Sequence, residues 1–171
     1  MVSNSGSISA QRGRVSLTGG NLDVSGAITA RDGGSIQLQG DYVGQSARLD
    51  VSSATGAGGT VQLQADTVIQ TAQAALVADG ATTGGRIAVT GSTGADSNAT
   101  IYSSAQFSAQ SSAGSGGSID LTAASVQLRA ATLDASGAQG GRLRIGGGFH
   151  GADSDLGNAT AVGINAATVL R

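Results

Sequence analysis

A diglycine followed by two apolar residues that alternate with polar ones recurs along this chain, and no other feature constrains its fold so tightly. It reads Gly33-Gly34-Ser35-Ile36-Gln37-Leu38, Gly58-Gly59-Thr60-Val61-Gln62-Leu63 and Gly84-Gly85-Arg86-Ile87-Ala88-Val89. It returns as Gly116-Gly117-Ser118-Ile119-Asp120-Leu121 and Gly140-Gly141-Arg142-Leu143-Arg144-Ile145, and a degenerate first copy reads Arg12-Gly13-Arg14-Val15-Ser16-Leu17. Successive copies lie 21, 25, 26, 32 and 24 residues apart, counted between their last glycines. Repeats of this period indicate stacked units; β-propeller blades need roughly 40–45 residues each.

Each repeat holds further apolar stretches. After the motif comes a second one at Leu22/Val24, Val43, Val68 and Val126/Leu128. A third follows at Ile28/Ala30, Leu49/Val51, Leu76/Ala78, Phe107/Ala109 and Leu133/Ala135. Apolar and polar residues alternate within them, the period-two sign of a strand with one buried face. Three short strands cannot bury that face alone, but coils stacked about 4.8 Å apart can. The expected fold is therefore all-β: a single parallel β-helix over residues 1–171, with six to seven coils of three short strands. The ten paired glycines are corner residues, placed where positive φ or close backbone approach excludes a Cβ.

Composition agrees. Gly, Ala, Ser and Thr make up 95 of the 171 residues; Lys, Glu, Cys, Pro and Trp are absent. Helical bundles and coiled coils are excluded by the missing 3.5–3.6 periodicity. A disordered Gly/Ser linker would explain the composition but not the order. A net charge of −2 provides no basic patch for nucleic acid. No apolar run approaches the ~20 residues of a membrane span, and the first residues lack the pattern of a signal peptide. Without Cys there is no disulfide framework.

Two repeats carry longer, mutually similar loops at residues 91–100 and 148–160, each following the motif strand. Both should leave the same corner, two coils apart, and form a ridge.

The run Leu133-Asp134-Ala135-Ser136-Gly137-Ala138-Gln139-Gly140-Gly141-Arg142-Leu143-Arg144-Ile145-Gly146-Gly147, followed by Gly151 and Asn158-Ala159, resembles the repeats of filamentous-haemagglutinin-like exoproteins. Leu49-Asp50-Val51-Ser52 and Leu22-Asp23-Val24-Ser25-Gly26 are weaker echoes. These exoproteins are the large adhesins of bacterial two-partner secretion. The resemblance implies a right-handed β-helix shaft, passed through an outer-membrane transporter and displayed at the cell surface or released. It also implies partners for the full-length protein, such as extracellular polysaccharide or a host or bacterial surface receptor. The family's N-terminal secretion domain carries Asn-Pro motifs; with no Pro, this chain is expected to be an internal or C-terminal segment.

Candidate sites are few. Catalysis by a polysaccharide-cleaving β-helix needs clustered carboxylates on an outward face. The residues expected to point outward are Ser16, Gln37, Gln62, Ala88, Asp120 and Arg144 on the motif strands, and Thr29, Asp50, Val77, Ser108 and Asp134 on the third strands. No two Asp residues fall in adjacent coils, so no enzyme and no cofactor are expected. Asp153, Asp155 and Asp96 are the candidates for calcium, which wants six to eight oxygens. Phe149, His150, Asn98 and Asn158 are candidate ligand contacts on the loops. Thr residues do not align in a ladder of the kind that binds ice, and exposed aromatics look too few for a stacking platform. The expected function is a structural shaft segment; the alternative is a carbohydrate- or protein-binding patch using the two loops.

Overall fold

The computed structural model describes residues 1–94, 96–151 and 156–171, and only the backbone of Phe149. Among the described residues it contains twenty strands in three parallel sheets. The first sheet stacks the motif strands Arg14–Thr18, Ser35–Gln39, Thr60–Gln64, Arg86–Thr90, Ser118–Thr122 and Arg142–Ile145. The second stacks Val2–Asn4, Asn21–Val24, Tyr42–Gln45, Thr67–Gln70, Thr100–Ser103, Ser125–Leu128 and Ala161–Ile164. The third stacks Ile8–Ser9, Ile28–Thr29, Arg48–Asp50, Ala75–Val77, Gln106–Ser108, Thr132–Asp134 and Val169–Leu170. Each strand pairs with its equivalent one coil away, which is the expected parallel β-helix.

Register turns the repeat into columns. On the first sheet, Leu38, Leu63, Val89, Leu121 and Ile145 stand above one another. On the third, Leu49, Leu76, Phe107 and Leu133 do the same. The members between the end coils are fully buried, each worth about 1.5–3 kcal/mol relative to exposure. In the last coil, Val162, Ile164 and Leu170 occupy core register but are exposed, because among the described residues no further strand pairs with theirs.

The corner glycines serve two purposes. Gly33 has φ 83° in open space, so conformation selects glycine there. Gly59, Gly85 and Gly117 do not: a Cβ on Gly85 would overlap the carbonyl oxygen of Gly59, and one on Gly117 that of Gly85. The second glycines form a column in which backbones of adjacent coils pack directly on one another.

One inward column is polar at four of its first six positions. Asn4, Val24, Gln45, Gln70, Ser103 and Leu128 are in register on the second sheet. Gln70 donates to Gln45 Oε1 at 2.6 Å, and Gln45 donates to the corner carbonyl of Ala47 at 2.8 Å. Asn4 donates to Gly26 O, and Ser103 Oγ accepts from Ala105 N. Asn4, Gln45 and Ser103 thereby satisfy backbone groups at the corner leading into the third sheet, which buried backbone requires, whereas Gln70 bonds only Gln45 and leaves its own Oε1 without a hydrogen-bond donor. The alternation marked Val43 and Val68 as buried and left these glutamines unassigned.

Candidate functional site

The carboxylates expected on outward faces do point away from the core, yet they are buried. Asp50, Asp120 and Asp134 are 1, 0 and 6 % exposed, so an outward direction does not leave them at the surface. Arginines in neighbouring coils cover them. Asp120 lies between Arg144, whose Nε donates to Oδ1 at 2.7 Å, and Arg86, whose Nη2 stands 2.9 Å from Oδ2. The latter contact is an ion pair without the alignment of a hydrogen bond, which leaves Oδ2 without a hydrogen-bonding donor. Ala88 and Val77, also expected outward, are buried as well.

Asp50 follows a different logic. Its Oδ1 accepts from Ser52 N at 3.0 Å and Ser52 Oγ at 2.6 Å, and its Oδ2 from Arg31 Nη2 at 2.7 Å, with Arg48 Nη2 at 3.4 Å. Burial would raise this carboxyl, but the Ser52 and Arg31 hydrogen bonds and the Arg48 charge outweigh it and hold it at about 2. Asp134 repeats the arrangement with Ser136 N at 2.9 Å. There too burial is outweighed, by Ser136 first, and the carboxyl is lowered. The Leu-Asp-x-Ser motif is thus a corner device: Leu fills the core, and Asp caps the backbone two residues on. Leu22-Asp23-Val24-Ser25 is not equivalent; it lies on the second sheet, where Asp23 is exposed.

Both long loops leave the corner between the first and second sheets, as expected. They also meet. A Cβ on Gly157 would overlap the Thr93 side chain, so the second loop reaches back across the intervening coil onto the first. Beneath them, the tight corner Ala123-Ala124 is buried and tied to Ser92 and Thr160 by backbone bonds. Asn158 donates to Gly151 O at 3.0 Å, an internal closure of its own loop. His150 sits exposed in a short turn at Phe149–Gly151 with φ 55°. Asn98 and Asp96 are exposed beside an open groove of about 530 Å³ that also includes Asp66 and Ser92. Asp153, Asp155 and the Phe149 side chain lie outside the described residues. Among the described residues, no three His, Cys, Asp or Glu side chains converge as a metal site.

The outward aromatics were underestimated from sequence. Tyr42 and Tyr102 are both exposed, and both stand on the second sheet. Composition counts aromatics but does not show that two of them share a face.

No family model matches the chain, and no curated protein does. A crystal structure of the HMW1 secretion domain from Haemophilus influenzae is similar, with a TM-score of 0.82 at 20 % identity over 96 % of this chain and 48 % of that one. The chain thus spans about half the length of that protein chain. At this identity the likeness concerns architecture: a solved structure follows the same path through space over nearly every coil described above.

Proposed function

We propose that the chain is a structural shaft segment of an exported bacterial adhesin, holding a binding region away from the cell. The observation that carries this reading is the stack of three parallel sheets through the described residues, in which successive coils repeat the same inward columns. Likeness to a solved secretion domain supports an exported setting. The engagement of Asp50, Asp120 and Asp134 by Arg and Ser side chains supports a non-enzymatic role, since glycoside cleavage needs carboxyls presented to the substrate. The transporter of a two-partner system and an extracellular or surface location belong to the same proposal.

The test is reach. The chain is placed between an outer-surface anchor and a terminal epitope on a capsulated bacterium, and antibody access to the epitope is measured. Deleting two whole coils should reduce access, and substituting exposed residues such as Gln64 should not. Access independent of coil number overturns the shaft reading. A second reading rests on the Gly157–Thr93 contact, which joins both loops into one ridge. Binding on a carbohydrate or protein array that disappears when residues 91–100 and 148–160 are shortened would favour it.

A further inference from the structure

The second sheet carries an apolar strip on its outer face that the fold does not use. Gly44, Ile69 and Tyr102 are in register on three successive coils. Tyr42, two residues before Gly44, lays its ring over that glycine: a Cβ there would meet the ring at 3.2 Å. The Tyr42 ring, Ile69 and the Tyr102 ring therefore form a ladder, one group per coil. They are 36, 39 and 46 % exposed, so the fold leaves much of this surface in water. Thr67, Thr100 and Gln127 flank the ladder with hydroxyl and amide groups.

We propose that this strip binds a neutral β-linked polysaccharide, one sugar ring per coil. The axial C–H face of a pyranose is apolar and packs on an aromatic ring, while its equatorial hydroxyls reach neighbouring hydroxyl and amide groups. Tyrosine suits such a contact because it joins an apolar body to a polar tip. Coils repeat about every 4.8 Å, close to the advance of one residue in an extended β-1,4 chain, so successive sugars meet successive coils. Charge selects the class. No arginine occupies this outward face of the described strands, so an anionic polymer finds no counter-charge. Three side chains on a flat face are also far too small for a stable protein interface, which needs about 800 Å² from each partner. The binding strip stands on the strands, meeting the first loop only at Thr100, and adds lateral glycan contact to the shaft without depending on that reading.

The chain has no Trp and only these two tyrosines, so tyrosine emission reports on the strip alone. Titration with cellohexaose or N-acetylchitohexaose should change that emission saturably. By calorimetry, Tyr102→Ala or Tyr42→Ala should weaken binding by roughly tenfold with the thermal melt unchanged. Gly44→Val, which displaces the Tyr42 ring while keeping both tyrosines, should weaken it too. No saturable change with either hexaose, or affinity retained in the Tyr42→Ala/Tyr102→Ala double variant, overturns the proposal. So does tighter binding of heparin than of the neutral hexaoses. A concentration-dependent dimer in sedimentation that Tyr102→Ala abolishes would show a second copy to be the occupant instead.

Discussion

Asp50 and Asp120 are both buried carboxylates set between arginines, and they hold the coil together in opposite ways. Asp50 works chiefly within its own corner, through Ser52 and Arg48, and takes Arg31 from the preceding corner. Asp120 has no partner on its own strand. Arg86 reaches it from the coil before and Arg144 from the coil after, so one carboxylate ties three coils. The first is a turn cap reinforced by charge. The second is a clamp whose strength depends entirely on stacking.

The sharpest way to break this comparison is to move the charge by one residue. Leu121 neighbours Asp120 but faces the core, so Leu121→Asp buries a carboxylate with no arginine in reach. It should abolish the cooperative melt seen by circular dichroism, since an unpaired buried charge exceeds the stability of most domains. Asp120→Ala comes next. It removes the buried carboxylate that Arg86 and Arg144 share, and should cost about 1.5–3 kcal/mol in denaturant unfolding. Replacing Asp120 and Arg144 together by leucine should recover much of that loss. If Asp120→Ala unfolds like wild type, the clamp contributes nothing to stability.

Asp50→Asn tests the local cap through pH. The folded carboxyl is held at about 2, below its ordinary value of 3.8. A depressed carboxyl stabilises above the unfolded value and loses that contribution as pH falls through the folded one. Near neutral pH the substitution should therefore cost on the order of 2 kcal/mol. The gap from wild type should shrink between about pH 4 and pH 2. A gap that is constant with pH would assign the effect to shape and not charge. Smallest of all is Gln62→Ala, on the same outward column as Asp120 but without an arginine pair, which should shift stability by less than about 0.5 kcal/mol.

The two carboxylates also mark how far the sequence could be read. Leu-Asp-x-Ser at residues 49–52 and 133–136 is a local pattern, and its partner lies two residues away. Even so, the same letters at residues 22–25 belong to a different sheet, because motif spelling does not encode position in the coil. The Arg86–Asp120–Arg144 clamp was not legible: its members belong to separate repeats and meet only once the register is set. Gln45 and Gln70 were passed over for a related reason. Their column is polar in its middle coils, and the corner carbonyl that Gln45 satisfies, with Gln70 stacked on it, exists only in the wound chain.

What the sequence by itself determined is the repeat: its period, the alternation that buries Ile, Leu and Val, and the glycines where neighbouring backbones touch. These are short-range consequences of strand geometry and missing Cβ atoms. Tertiary structure alone decided which residues from different repeats stand above one another. Stacking at one strand spacing brings side chains some two dozen residues apart into contact. That is how Arg86 and Arg144 come to cover Asp120, how two loops join across a coil, and how Tyr42, Ile69 and Tyr102 become one continuous surface.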